Sequence, residues 1–172
     1  MVAILTDVGN SRSLNEDFAS YIEKNDYSVY VVADGMGGHN AGEVASRMAS
    51  VGIVEYIYHH FTNIEKEKLL RRAVKKVNLD VFNHSKENEK LNGMGTTITA
   101  CLTFQDKIQV ANVGDSSCFG IRNNDIVKLT KDHSLVQELV DAGSISEQQA
   151  SNHPKKNIIT RAVGTSSHVD VD

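Results

Sequence analysis

Hydrophobic positions alternate with polar ones through the first third of the chain, in short runs separated by polar pairs. The pattern predicts strands over Val2–Val8, Phe18–Glu23 and Tyr27–Ala33, with Asn25-Asp26 as the tight turn between the last two. The run Val29-Tyr30-Val31-Val32-Ala33 is apolar on both faces, which predicts a strand deep in the fold. The period then lengthens. Val44, Met48 and Val51 form the stripe of a helix from Ala41 to about Phe61, with Asn40 as its cap and Glu43 as the capping-box partner. A second helix is predicted after Thr62, with a capping-box glutamate at Glu65. Its buried stripe is Leu70, Val74, Val77 and Val81, and Lys66, Lys68, Arg71, Lys75 and Lys76 are its solvated face.

Alternation returns at Thr97–Phe104, where Ile98, Ala100, Leu102 and Phe104 share one face. Ile108–Val113, Ser117–Ile121 and Ile126–Leu129 continue it as an antiparallel meander, turning at Asn123-Asn124-Asp125. Ser134 with Gln137, and Ser146 with Gln149, open two short helices joined by a connector at Gly143–Ile145, and Val169-Asp170-Val171-Asp172 reads as the start of a strand. Strands, two helices, then strands predict one α+β domain over residues 1–172, with helices covering antiparallel sheets.

Composition narrows the classes. Lys and Arg number 18 against 22 Asp and Glu, a net charge of −4, which argues against a general nucleic-acid binder. With 40% apolar and 23% charged residues the chain is no disordered tail. No apolar run approaches the roughly 20 residues that cross a bilayer. Asp7 comes too early for a signal peptide, so a cytoplasmic protein without membrane insertion is expected. Cys101 and Cys118 each lie in an apolar stretch and are read as reduced, buried thiols.

Acidic residues at strand margins carry the candidate chemistry. Asp34 leaves an apolar strand into Gly35-Met36-Gly37-Gly38, Asn15-Glu16-Asp17 precedes another strand, and Asp115 follows Ile108–Val113. A carboxylate near a core needs a partner. Oxygen-only ligands suit Mg²⁺ or Mn²⁺ better than zinc. Arg12, on the approach to Asn15, either grips a phosphate or pairs with Glu16 or Asp17 on the surface. Asp34 taken alone reads better as a turn residue capping its own loop; the other acids at strand margins are what favour the cation.

Arg12-x-x-Asn15-Glu16-Asp17, Asp34-Gly35-Met36-Gly37-Gly38-His39, Gly93-Met94-Gly95-Thr96-Thr97 and Asn112-Val113-Gly114-Asp115-Ser116 together resemble the type 2C metal-dependent protein phosphatases, the PPM family, in their bacterial branch. Asp132-His133-Ser134, Leu139-Val140-x-x-Gly143 and His153-Pro154-x-x-Asn157 extend the match in order and spacing along nearly the whole chain.

The resemblance implies two packed antiparallel β-sheets flanked by helices, an α-β-β-α sandwich. It implies hydrolysis of phosphoserine and phosphothreonine on proteins by a water bridging two metal ions, opposing a Ser/Thr kinase. Phosphorylated proteins, such a kinase and its substrates would be the partners. Asp34 would bridge two ions, Mn²⁺ or Mg²⁺, and the Gly35 carbonyl would bind one of them. Glu16 and Asp17 would act mostly as outer acceptors, Arg12 would position the phosphate, and Asp115 would help hold a third ion. A mobile flap would run from Val140 to about Asn157. The leaving oxygen needs a proton, for which His39 and a metal-held water are the alternatives, Met36 standing where eukaryotic relatives carry histidine.

Ser117 replaces a usual arginine, and the family's later Asp-Gly and Asp-Asn motifs do not occur before Asp172. The expected chain is therefore a phosphatase domain incomplete at the C-terminus, with open sheet edges suited to self-association. The alternatives are a catalytically impaired fragment, a non-catalytic regulator binding phosphoprotein or metal, and a small-molecule or nucleotide-binding domain.

Overall fold

The computed structural model describes residues 2–37 and 41–172. Strand β1 (Asp17–Glu23) returns through a tight corner, closed by the Lys24 N–H donating to the Tyr27 carbonyl at 2.8 Å, into β2 (Tyr27–Met36). Two helices follow, α1 (Ala41–His60) and α2 (Lys66–Glu87). Then come β3 (Gly95–Thr96), β4 (Ile98–Phe104) and β5 (Lys107–Val113). The five strands form one antiparallel sheet in the order β1-β2-β4-β5, with β3 pairing the far end of β2, Gly35 against Thr96. Beyond it, β6 (Phe119–Arg122) and β7 (Asp125–Lys128) form a separate two-stranded sheet. Two short helices, α3 (Leu135–Asp141) and α4 (Glu147–Ser151), start at Ser134 and Ser146, whose hydroxyls accept the Gln137 and Gln149 amides as anticipated. The α+β architecture with two antiparallel sheets and helices agrees with expectation.

The core lies between the large sheet and the α1–α2 pair. Val29, Val31 and Ala33 of β2 and Ile98, Ala100 and Leu102 of β4 are buried with Ile53 and Ile57 of α1 and Leu70, Val74 and Val81 of α2. The other sheet face is open: Val32 is 51% exposed, so β2 is buried on one side only, not both. The expected α1 stripe is also displaced. Ala41, Ala45, Ala49, Ile53 and Ile57 are the buried apolar positions, with Gly42, Ser46 and Ser50 buried beside them, because small side chains let the helix approach β2 closely. Val44, Met48 and Val51 flank that contact and line an apolar groove of about 600 Å³ beside Val77 of α2.

Other expectations fail for identifiable reasons. Residues 2–8 form no strand; Leu5 is 95% exposed, and among the described residues no neighbouring strand supplies the N–H and C=O groups that make alternation stabilising. Helix α2 begins four residues after Thr62, because Asn63 and Ile64 donate their amides to the His60 carbonyl and finish the turn out of α1. At its start Glu65 makes no side-chain cap. The meander does not continue from β5 because Gly114, at φ +105°, swings the chain away. Asn123 and Asn124, at φ 52° and 69°, make the left-handed turn of the β6–β7 hairpin. At the other end, Asp172 exchanges both backbone hydrogen bonds with Asn112 of β5, at 2.8 and 3.2 Å, while Val169 and Val171 are buried.

Candidate active site

Antiparallel register sets Asp17, the first residue of β1, against Asp34 near the end of β2. Two carboxylates meet there because the strands run in opposite directions and each sequence places its acid at the same edge. The Gly35 N–H donates to the Glu16 carbonyl at 3.0 Å, extending the pairing by one residue. A side chain at Gly35 would run into the carbonyls of both Glu16 and Gly42, so this close crossing of β2 and α1 requires glycine. Asn15 orders the approach to β1, its Oδ1 accepting the Asp17 amide at 3.0 Å.

Two threonines hold Asp34 from the other side. The Asp34 N–H donates to Thr97 Oγ1 at 2.9 Å, and the Asp34 carbonyl accepts the Thr97 N–H at 2.9 Å and the Thr96 hydroxyl at 2.9 Å. Thr97 Oγ1 also lies 2.8 Å from Ser116 Oγ, so one buried hydroxyl links Asp34 to the residue after Asp115. Periodicity gave no sign of this clamp. The paired hydroxyls at the strand entry were the available signal.

Arg12, Asn15, Glu16, Asp17, Asp34 and Gly35 line one cavity of about 230 Å³. Arg12 is 77% exposed, with Nη1 3.8 Å from Glu16 Oε2, so it is a rim residue with a loose ion pair. Asp115 lies outside that lining, but its charge reaches Asp34. His39 falls outside the described residues, as does Asn40. Among the anticipated site residues, then, the structure brings together Arg12, Glu16, Asp17, Asp34 and Gly35, with Asp115 outside the cavity but within reach of Asp34 by its charge.

The electrostatics are those of crowded acids short of positive charge. Partial desolvation, then the charge and hydrogen bond of Asp17, then the charge of Asp115 push the Asp34 carboxyl from 3.8 up to about 6, against the pull of Arg12. Asp115 is raised by desolvation and by Asp132, with Lys128 opposing. Lys128 and Ser117 both donate to Asp132 Oδ1, at 2.6 and 3.2 Å. An oxygen-only set of repelling carboxylates suits a hard divalent cation, which would relieve that repulsion. Among the described residues, however, no group of three or more His, Cys, Asp or Glu side chains is close enough to hold an ion, so the Asp17–Asp34 pair is a partial ligand set.

Elsewhere the chemistry is plainer. Cys101 and Cys118 are unpaired and half-buried, and burial lifts the Cys101 thiol to about 11, as suits a structural thiol. No helix among the described residues is long and apolar enough to cross a membrane.

Comparison with known proteins points one way. The family model described as protein phosphatase 2C matches residues 9–164. A serine/threonine phosphatase, stp, of Listeria welshimeri is 42% identical over 97% of this chain, which spans 68% of that relative's length. Protein phosphatase PhpP of Streptococcus pneumoniae is 33% identical over 99% of the chain and 70% of its own length. Among solved structures, serine/threonine phosphatase Stp1 from Staphylococcus aureus superposes with a TM-score of 0.87 at 36% identity, over 98% of this chain and 67% of that one.

Proposed function

The chain belongs to the protein phosphatase 2C family, and on that premise we propose that it hydrolyses phosphoserine and phosphothreonine esters on proteins. The observation that carries the reading is the Asp17–Asp34 pair in a cavity shared with Arg12: negative charge to hold a cation beside a guanidinium to hold a phosphate. Asp34 and the Gly35 carbonyl are the proposed inner ligands, Asp17 and Glu16 the acceptors around them, and Asp115 the ligand of a further ion. Mn²⁺ or Mg²⁺, two ions or three, is the proposed cofactor. A divalent cation held there supplies charge neutralisation at phosphorus and a nucleophilic water at neutral pH.

The chain's own residues do the rest. Arg12 offers a planar, bidentate fork to two phosphoryl oxygens and turns the ester towards Asp34. Thr96 and Thr97 keep the Asp34 backbone from shifting as charge builds on the phosphoryl group. The leaving seryl or threonyl oxygen takes its proton from His39 or from solvent, and loss of the basic pH limb in His39→Gln would assign it to His39. The proposed setting is the cytoplasm, with a Ser/Thr kinase and that kinase's substrates as partners.

Phosphate release from phosphoserine, phosphothreonine and phosphotyrosine peptides tests the proposal. Release from the first two with Mn²⁺, abolished by chelator and by Asp34→Ala, is the expected result. Soluble, folded protein inactive at every Mn²⁺ concentration contradicts it. That outcome would favour a non-catalytic regulator, a reading that the partial ligand set among the described residues supports.

A further inference from the structure

His133 is only 7% exposed, and every polar atom of it is engaged outside the carboxylate cavity. The Gly114 N–H donates to its Nδ1 at 3.0 Å, and its own backbone N–H donates to the Gly114 carbonyl at 2.9 Å. A ring nitrogen that accepts carries no proton, so Nε2 carries it and donates to Asp172 Oδ2 at 3.1 Å. Arg161 Nη1 donates to the other oxygen, Oδ1, at 2.7 Å; it also lies 3.1 Å from Nε2, two donors converging on one carboxylate.

The residue held in this way is an awkward one. Gly114 sits at φ +105°, and a side chain there would come within 2.6 Å of Thr97 Cγ2. Its carbonyl takes a further hydrogen bond from Asn112 Nδ2 at 3.1 Å. Asp115 follows directly, and on its far side Ser116 is tied to Thr97 Oγ1 and, through its carbonyl, to the Thr99 hydroxyl at 2.8 Å. Asp115 is thus bracketed between a turn pinned by His133 and a residue pinned by the same threonine that holds Asp34.

We propose that His133 is a positioning residue of the cation site: by holding the Gly114 turn it keeps Asp115 where its charge adds to that of Asp34 and Asp17. The inference rests on the cation reading given above and deepens it. Nδ1 is the atom that matters, since it is the side-chain atom bonded to the turn and the backbone N–H bond survives any substitution of the ring, while the Nε2–Asp172–Arg161 linkage keeps the ring from rotating.

Free Mn²⁺, read by electron paramagnetic resonance during titration of the whole chain, tests this without any turnover. His133→Asn puts a carboxamide oxygen where Nδ1 stands; His133→Gln reaches only the Nε2 end. The proposal expects a Kd for Mn²⁺ about tenfold weaker in His133→Gln and His133→Ala, and within about twofold of wild type in His133→Asn. On an Asp115→Ala background His133→Gln adds less than about twofold, because both changes remove the same contribution. If the alanine variant fails to fold, the Asn and Gln pair carries the test. Equal losses in Asn and Gln, full additivity with Asp115→Ala, or unchanged affinity in Gln each overturn the proposal while leaving the cation reading in place. Wild-type protein that binds no Mn²⁺ overturns the cation reading, and this inference with it.

Discussion

Replacing Asp34 by asparagine removes one of several crowded negative charges while keeping the shape and hydrogen-bonding reach of the side chain. Without a bound cation, the Asp34 carboxyl holds its proton up to about pH 6 in the folded protein, against 3.8 ordinarily. Between those values the folded state binds more protons than the unfolded one, so stability falls as pH rises. The contribution is fully present below about pH 4 and is lost as pH passes through 6. A shift of roughly two units corresponds to about 3 kcal/mol if nothing screens it. The side chain is exposed to solvent, however, and screening reduces this to about 1 kcal/mol. Asp34→Asn should therefore be more stable than wild type by about 1 kcal/mol at pH 7.5 in chelator, and equal to it near pH 4. With a urea m-value of about 2 kcal/mol per molar, the midpoint shift is about 0.5 M. Urea titrations of both proteins at the two pH values are the assay. Equal midpoints at pH 7.5, or wild type the more stable there, would refute the claim that these acids lack a counter-charge.

Other expectations follow from neighbouring contacts. Thr97→Val keeps the shape but leaves the Asp34 N–H without its acceptor, and should cost about 1–3 kcal/mol by urea unfolding, whereas Thr97→Ser should cost about 1. Arg12→Lys should raise KM for a phosphopeptide several-fold more than it lowers kcat, because a point charge replaces a bidentate fork; an unchanged KM would remove Arg12 from the phosphate. Ile53→Ala, on the buried face of α1, should cost about 2–4 kcal/mol, and Val51→Ala, at the groove, less than about 1. Similar losses for the two would mean the helix face has been misassigned.

What the sequence disclosed was whatever is local and periodic. Ile98, Ala100, Leu102 and Phe104 alternate, and β4 buries those four. Leu70, Val74, Val77 and Val81 recur at helical spacing, and α2 buries them. Helix α1 misled because its contact face is built from Ala41, Ala45 and Ala49, whose small side chains register weakly beside Val44 and Met48. Residues 2–8 misled because alternation describes half of a pairing and says nothing of the partner strand. The acids at strand ends were legible through motif order, and the register of β1 with β2 brings Asp17 to Asp34. The supports around them were not. Thr97 lies 63 positions from the amide it accepts, and His133 lies 19 from the turn it holds. Hydrogen bonds over such separations leave no period in a sequence.

The central claim is that the β1–β2 edge is built to hold a divalent cation beside a phosphate-binding arginine. Anomalous scattering from a crystal grown with Mn²⁺ tests it most directly. The account predicts a peak in the Arg12–Asp34 cavity about 2.2 Å from an Asp34 carboxylate oxygen, and its loss in Asp34→Asn. A cavity without a peak at saturating Mn²⁺, or Mn²⁺ bound only at Asp132 or elsewhere on the surface, would contradict it.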